Sequence, residues 1–356
     1  MPRRPADLIS SWLRGVTTWL GREPGVWLVI AGAFGSALVA GTLPELLKLV
    51  PGGNITLAVI AILGLLILAI AWTALNVRTR FGVVIFLSAT PDDLAQNLRM
   101  QGFVDRHRDK HLKLFYVNGN YLAPKADRNA RITVAQRVMQ ERLSEESAWQ
   151  VGSIDFYLRC DFPSAYQLAR VTLGRGDDNA MPFGGLGRIR IHQFDHGSTT
   201  LEDDVIELTH HRWVLQPATS PAPQGVRVTG HQSIRQPEPE LQNRCAIVVN
   251  LFGDPASIAK ARRAANAGDP STGYAVEDRD RCGGEILIEA SLHTDSTVSH
   301  QAIVAAVVNE WKKFVESRDD ASRAQGRLFI HGPVAIVFAL GALLPNSVEL
   351  VPYDPR

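Results

Sequence analysis

Two long apolar runs near the start of the chain constrain its architecture more than any other feature. Val26–Leu43 contains about 18 residues and Ile55–Val77 about 23, and neither run holds a charged residue. At roughly 1.5 Å of rise per residue, a helix of either length spans a hydrocarbon core of about 30 Å. The short segment between them is rich in proline and glycine. The sequence therefore predicts a two-helix transmembrane hairpin; the alternative is a buried helical hairpin in the core of a soluble protein.

The charges beside the two runs predict the orientation of the hairpin. Arg4, Arg14 and Arg22 precede the first run, and Arg78 and Arg80 follow the second. Because Lys and Arg collect on the cytoplasmic side of a membrane, both chain termini are expected in the cytoplasm. Apolar residues recur every four positions within residues 1–24. Within this N-terminal segment, Asp7–Leu20 is predicted to be an amphipathic helix, lying either at the membrane interface or against a soluble domain.

Residues 25–80 form the predicted hairpin, and its first run carries small residues at helical spacing. Gly32, Ser36 and Ala40 share one stripe. Small side chains let helix backbones approach closely in lipid, so this stripe is predicted to pack helices together, either between copies of the chain or within one hairpin. Neither run contains an ionisable residue, which argues against a transporter.

The composition excludes several function classes. The chain has 356 residues and a formal net charge of +1, which argues against binding of a DNA or RNA polymer. Its three cysteines, Cys160, Cys245 and Cys282, lie far apart in the sequence. This spacing fits a reduced compartment and favours neither a disulfide framework nor a zinc site. No metal and no cofactor is predicted.

After Arg80 the pattern changes to strands that alternate with helices. Such alternation predicts a parallel sheet of the doubly wound type. The alternation stops at the proline-rich segment Gln216–Asn243 and then restarts, so residues 81–356 are predicted to form two halves, at about 81–215 and 244–356. The predicted strands are Val83–Ser88, Leu112–Tyr116, Ile154–Leu158 and Ile189–His192 in the first half, and Ala246–Leu251, Ile286–Ala290, Arg327–Ile330 and Val348–Val351 in the second.

Ligands of doubly wound sheets bind beyond the carboxyl ends of the strands. The turn at His331, Gly332 and Pro333 is the sharpest candidate, because a strand ends there and a helix begins. Free amides at a helix start can bind phosphate, although many strand-to-helix turns share this pattern. The sequence contains no GxxxxGK[ST], GxSxG or HExxH motif. No catalytic residue is therefore predicted, and the chain is expected not to be an enzyme.

The last part of the chain resembles the end of SAVED domains. The resemblance lies in the run Arg327–Gly341, RLFIHGPVAIVFALG, and in Val348–Tyr353. In that family a strand, a small-residue turn with proline, an apolar helix closed by glycine and a strand ending in an aromatic residue follow one another. SAVED domains consist of two fused CARF-like, Rossmann-like halves. Together with the hairpin, the resemblance implies a membrane-anchored α/β protein of the two-transmembrane SAVED type.

The resemblance also implies a function. SAVED domains sense cyclic oligonucleotides in CBASS antiphage systems, so the expected ligand is a cyclic oligonucleotide, foremost a cyclic trinucleotide, made by a partner nucleotidyltransferase. Binding would drive homo-oligomerisation, and the clustered hairpins would disrupt the lipid membrane and cause abortive infection. The expected location is the bacterial inner membrane, with two spans.

The resemblance suggests ligand-binding residues at the ends of the strands. His331, Gly332 and Pro333 match the family's turn before its last helix. The other expected ligand-binding residues occupy strand ends elsewhere in the two halves: Ser88, Thr90, Arg159, Asn250, Phe252, Asp254 and His293.

Two further functions remain open on the sequence. One is a membrane-anchored, ring-nuclease-like enzyme that cleaves its nucleotide, with a base or nucleophile among His293, His331 and Ser88. The other is a membrane-anchored scaffold whose two halves bind a protein partner, and which binds no nucleotide at all.

Overall fold

A computed structural model describes most of the α/β part of the chain. The described residues are 64, 66, 80–87, 102, 105, 108, 111, 113–118, 127–145, 153–173, 188–192, 205–209, 214–215, 225–233, 241–292, 298–318 and 320–353. The chain divides into two compact units, Met1–Arg80 with Lys110–Leu112 and Phe81–Asp109 with Lys113–Arg356. The two sheets belong to the second unit.

The first sheet has six strands in the order β2-β1-β3-β4-β5-β6. They are β1 (Arg80–Leu87), β2 (Lys113–Asn118), β3 (Ser153–Cys160), β4 (Arg188–His192), β5 (Val205–Thr209) and β6 (Val214–Leu215). The β1–β2 and β3–β4 pairs are parallel, whereas β5 and β6 add antiparallel to β4. Residues 81–87 of β1 are all buried, which explains their uninterrupted apolar sequence. Two helices of this half have bounds among the described residues, α1 (Arg128–Glu145) and α2 (Phe162–Leu173).

The second sheet has five strands in the order β11-β10-β8-β9-β7. They are β7 (Arg227–Ser233), β8 (Arg244–Asn250), β9 (Gly284–Glu289), β10 (Gln325–His331) and β11 (Val348–Leu350). Strands β8 to β11 pair in parallel, and β7 pairs antiparallel with β9. The helices of this half are α3 (Pro255–Ala267), α4 (His300–Glu316) and α5 (Val334–Leu343).

The two halves share one strand order. In the first half β2, β1, β3 and β4 are neighbours in that sequence, and in the second half β9, β8, β10 and β11 take the same places. Helices α1 and α4 precede the third strand of each set, and α2 and α5 follow it. The fold therefore contains the same α/β arrangement twice.

Helices α2 and α5 pack against each other and join the two halves in one hydrophobic core. The rings of Phe156 and Phe338 lie 5.3 Å apart in this core. Gly341 of α5 lies so close to α2 that a Cβ there would sit 2.5 Å from the carbonyl oxygen of Tyr166. Every residue of α5 after Val334 is buried, because the helix is covered on all sides.

Polar contacts also tie the two halves together. The hydroxyl of Tyr166 and the guanidinium of Arg170 both donate to the carbonyl oxygen of Val348, each at 2.9 Å. The Gln301 side chain accepts from the backbone amide of Glu207 at 2.9 Å and donates to the backbone carbonyl of the same residue at 3.0 Å. This amide clamp fixes β5 of the first half to α4 of the second.

The eight predicted strands are confirmed, with bounds that differ by at most three residues. The predicted parallel sheets are wrong in part, because each sheet carries antiparallel additions. Gln216–Asn243 is not simply a connection, since it contains β7. The strand β5 follows the acidic run Glu202-Asp203-Asp204 and was not predicted. The N-cap of α4 is Ser299.

The predicted membrane-anchored fold class is corrected. Among the residues that the structure describes, no helix is long and apolar enough to cross a membrane. That finding overturns both the membrane-anchored class and the inner-membrane location, and what the structure shows is an α/β fold with two mixed sheets. The predicted spans, with the stripe Gly32, Ser36 and Ala40, lie outside the described residues except for Gly64 and Leu66.

Candidate ligand site at the carboxyl edge of the second sheet

The carboxyl ends of β8 and β10 place two predicted site residues side by side. Asn250 and His331 are register partners at the last position of their strands. The chain then turns at both ends, and the amide of Leu251 donates to the carbonyl of His331 at 2.9 Å. Six of the predicted site residues are gathered at this edge: Asn250, Phe252, Asp254, His331, Gly332 and Pro333.

Asp254 is the N-cap of α3, as the sequence Asp254-Pro255 favours. Its Oδ1 accepts from the amide of Ala256 at 2.9 Å, and its Oδ2 accepts from the Ser257 hydroxyl at 2.7 Å. These hydrogen bonds, that of Ser257 first, lower the pKa of Asp254 below its ordinary value because they stabilise the charged carboxylate. Asp254 is therefore a structural cap as well as a predicted ligand residue.

Ser257 connects Asp254 to His331. Its Oγ lies 3.1 Å from Nδ1 of His331. Ser257 was not predicted as a site residue. A serine in the first turn of a helix carries no signal of its own, although its position three residues after Asp254 is typical of a capping contact.

The loop between β8 and α3 fixes the position of Phe252. Phe252 forms an antiparallel bridge with Ser291, and its ring meets His331 edge to face, with 5.0 Å between ring centroids. Gly253 has φ of +69°, which L side chains rarely adopt, so glycine is needed for this turn. Phe252 is only partly buried.

Gly332 and Pro333 make the turn from β10 into α5. A Cβ at Gly332 would lie 2.5 Å from Cδ1 of Leu251, so no side chain fits there. Pro333 is the N-cap of α5 and provides no side-chain hydrogen bond to its first turn. This helix start therefore differs from that of α3, where a carboxylate caps the amides.

Asn250, at the end of β8, is 2 % exposed. Its Nδ2 donates to the carbonyl of Asp254 at 3.0 Å, whereas its Oδ1 is buried and has no hydrogen-bond partner among the described residues. The hydrogen bond of Nδ2 stabilises the β8–α3 turn, and Oδ1 remains a buried acceptor without a partner among the described residues.

The predicted site residues of the first half are described only in part. Arg159 lies in β3, next to the N-cap Asp161, which accepts from the amide of Ser164 at 2.8 Å. No described contact joins Arg159 to the six residues of the second half. Ser88, Thr90 and His293 lie outside the described residues.

A second polar region lies at the other end of the second sheet. A cavity of about 390 Å³ is bordered by β7, β9 and α3, and Arg262 and Arg263 lie on its wall. The Arg262 guanidinium is paired with the buried carboxylate of Glu285, at 2.9 and 3.0 Å from Nε, so it is not simply a solvated charge. Within the described ranges no group of His, Cys, Asp and Glu could hold a metal ion.

Comparison with known proteins yields no relative from which a role could be transferred. No protein-family model matches this sequence, and no curated protein matches it either.

Proposed function

We propose that the duplicated α/β unit is a sensor that binds a cyclic oligonucleotide at the carboxyl edge of its strands. The observation that carries this proposal is the repeated strand order, 2-1-3-4 in each half, with the helices after the third strands packed together. Two fused Rossmann-like halves are what the SAVED resemblance of Arg327–Gly341 implies. The ligand proposed first is a cyclic trinucleotide, made by a nucleotidyltransferase in antiviral defence.

The chemistry of the edge supports a nucleotide ligand. Phe252 is partly exposed, and its side chain offers a surface on which a base can stack. The N-cap residue of α5, Pro333, makes no side-chain hydrogen bond to the first turn of the helix. A stacking surface at Phe252 thus lies beside the polar side chain of His331, with 5.0 Å between ring centroids.

Ligand binding is proposed to drive assembly. A ligand can promote association only if it binds the assembled state more tightly than the separate chains. A ring that contacts two copies meets this condition directly. Membrane disruption is not part of this proposed function, because the membrane-anchored class was overturned.

The experiment is sedimentation velocity of the full chain with a panel of cyclic di-, tri- and tetranucleotides, supported by calorimetric titration. Binding of one ring with a shift to larger species is the expected result. Binding of no member of the panel would overturn the proposal. Chromatography of the ligand after long incubation distinguishes a sensor, which returns it intact, from a ring-nuclease-like enzyme.

A further inference from the structure

A chain of hydrogen bonds links Asp254, Ser257 and His331, and the donor and acceptor of each bond follow from the chemistry of the groups. Asp254 is a carboxylate with a lowered pKa, so it can only accept. The single hydroxyl proton of Ser257 therefore goes to Asp254 Oδ2, at 2.7 Å. Ser257 Oγ then has only lone pairs to offer His331, so Nδ1 of the imidazole, 3.1 Å away, must carry a hydrogen.

The other nitrogen of His331 is consequently an acceptor when the ring is neutral. Nε2 has no hydrogen-bond partner among the described residues, and it is not one of their buried unpaired atoms, so it is accessible from the surface. The edge-to-face contact with Phe252 restricts rotation of the ring. The cluster of Asp254, Ser257 and His331, called here the relay, thus presents one oriented lone pair at the carboxyl edge.

We propose that His331 Nε2, held as an acceptor by the relay, selects a ligand hydroxyl, the ribose 2′-OH of a cyclic oligonucleotide. This inference rests on the proposed function and names the feature of the ligand that the site recognises. A phosphodiester oxygen is acceptor-only and repels a lone pair, whereas each nucleotide of a 3′,5′-linked ribo ring carries a free 2′-hydroxyl whatever its base. His331 is the last residue of β10, at the carboxyl edge of the strands where ligands of such sheets bind. In this proposal His331 contacts the ligand, whereas Ser257 is a positioning residue that orients His331.

The tautomer of His331 can be measured without any ligand. ¹⁵N-histidine spectra of the full chain at pH 8 are expected to show a protonated Nδ1 and an unprotonated Nε2 for the signal that His331→Phe removes. Ser257→Ala deletes the relay hydroxyl and is expected to mix the two tautomers. A wild-type signal with the proton on Nε2 would overturn the inference, whether or not the protein binds nucleotides.

Binding of matched ribo- and 2′-deoxy rings provides the second test. The affinity of the wild type for the ribo ring is expected to be roughly 5- to 10-fold higher than for the deoxy ring. This ratio corresponds to the contribution of one hydrogen bond to an otherwise unpaired acceptor. His331→Phe keeps an aromatic ring against Phe252 and should bind both rings equally, at the affinity of the wild type for the deoxy ring. Ser257→Ala should show a reduced preference.

Ser322→Ala is the matched control. Ser322 Oγ also donates to a capping carboxylate, Asp320, at 2.5 Å, but it lies just before the amino end of β10, far from His331. The control should keep the full ribo preference. Equal binding of both rings by the wild type would overturn the 2′-hydroxyl inference while leaving the sensor proposal intact, whereas failure of every ring to bind would overturn the sensor proposal itself.

Discussion

Gly341 of α5 faces the carbonyl oxygen of Tyr166 of α2, with room for a hydrogen atom and for no larger group. This close approach lets the two helices that join the halves pack backbone to backbone. It also makes the position sensitive to the smallest substitution.

Gly341→Ala is expected to destabilise the protein by about 1–3 kcal/mol, because the new methyl group would lie 2.5 Å from a backbone oxygen that cannot move alone. Thermal denaturation measures the effect. Gly102→Ala is the matched control, since a Cβ there meets nothing within 4 Å and an exposed helical alanine should be neutral or stabilising by up to about 1 kcal/mol. Equal melting temperatures for Gly341→Ala and the wild type would contradict the packing described.

Arg327→Met is expected to lower the free energy of unfolding by about 3–5 kcal/mol. The buried carboxylate of Asp280, which lies 2.8 Å from Arg327 Nε, would lose its charged partner. Urea unfolding measures the loss. The control is Arg323→Met, which breaks an exposed pair with Asp320 at 2.9 Å and should cost about 1 kcal/mol or less. If the two variants lose the same stability, burial does not decide the strength of these pairs.

Acid should destabilise the protein partly through Asp254. Its folded-state pKa lies below the ordinary value of 3.8, so its contribution to stability is present above that pH and is lost as the pH falls through the folded pKa. Asp254→Asn should therefore flatten the stability profile below about pH 4. Denaturant midpoints measured from pH 5 to pH 2 test this, and a profile parallel to that of the wild type would refute it.

The three cysteines are expected to resist thiol reagents in the folded protein. Burial raises the pKa of Cys282 to about 12 and raises the pKa values of Cys160 and Cys245, so few thiolates form at pH 8. A chromogenic disulfide reagent should titrate no thiol in native buffer and three in denaturant. Rapid native reaction of any thiol would show that its surroundings open readily.

Phe252→Ala is expected to weaken binding of the cyclic oligonucleotide about 5- to 100-fold, the range for removal of one stacked base. Calorimetric titration measures the change. Tyr116→Ala serves as the control, because Tyr116 is an aromatic residue that is 43 % exposed on β2 of the first sheet, whereas Phe252 belongs to the second half. Unchanged affinity in Phe252→Ala would show that the ring only packs against His331.

Burial explains which elements could be predicted from the sequence. Strand β8 reads as an apolar run because six of its seven residues are buried, and its predicted bounds were nearly correct. Strand β7 was missed because six of its seven residues are exposed and give it no apolar period. An edge strand of this kind is defined by its partner β9, which lies more than 50 residues away in sequence.

The candidate site was predictable only where local sequence fixes the geometry. Asp254-Pro255 and His331-Gly332-Pro333 mark turns by their own chemistry, so six expected residues lie at one edge. Ser257 could not be found in this way, since its contact with His331 spans 74 residues and depends on the register of β8 with β10.

The two copies of the four-strand arrangement differ at their margins. The first is extended by β5 and β6 beside its fourth strand, whereas the second is extended by β7 beside its second strand. The molecule consequently has polarity, with two unlike ends. Contacts between unlike ends of successive copies repeat in one direction without closing, whereas contacts between like ends stop at a pair. In the proposed ligand-driven assembly, this polarity would favour stacks that grow until the supply of ligand or of protein runs out.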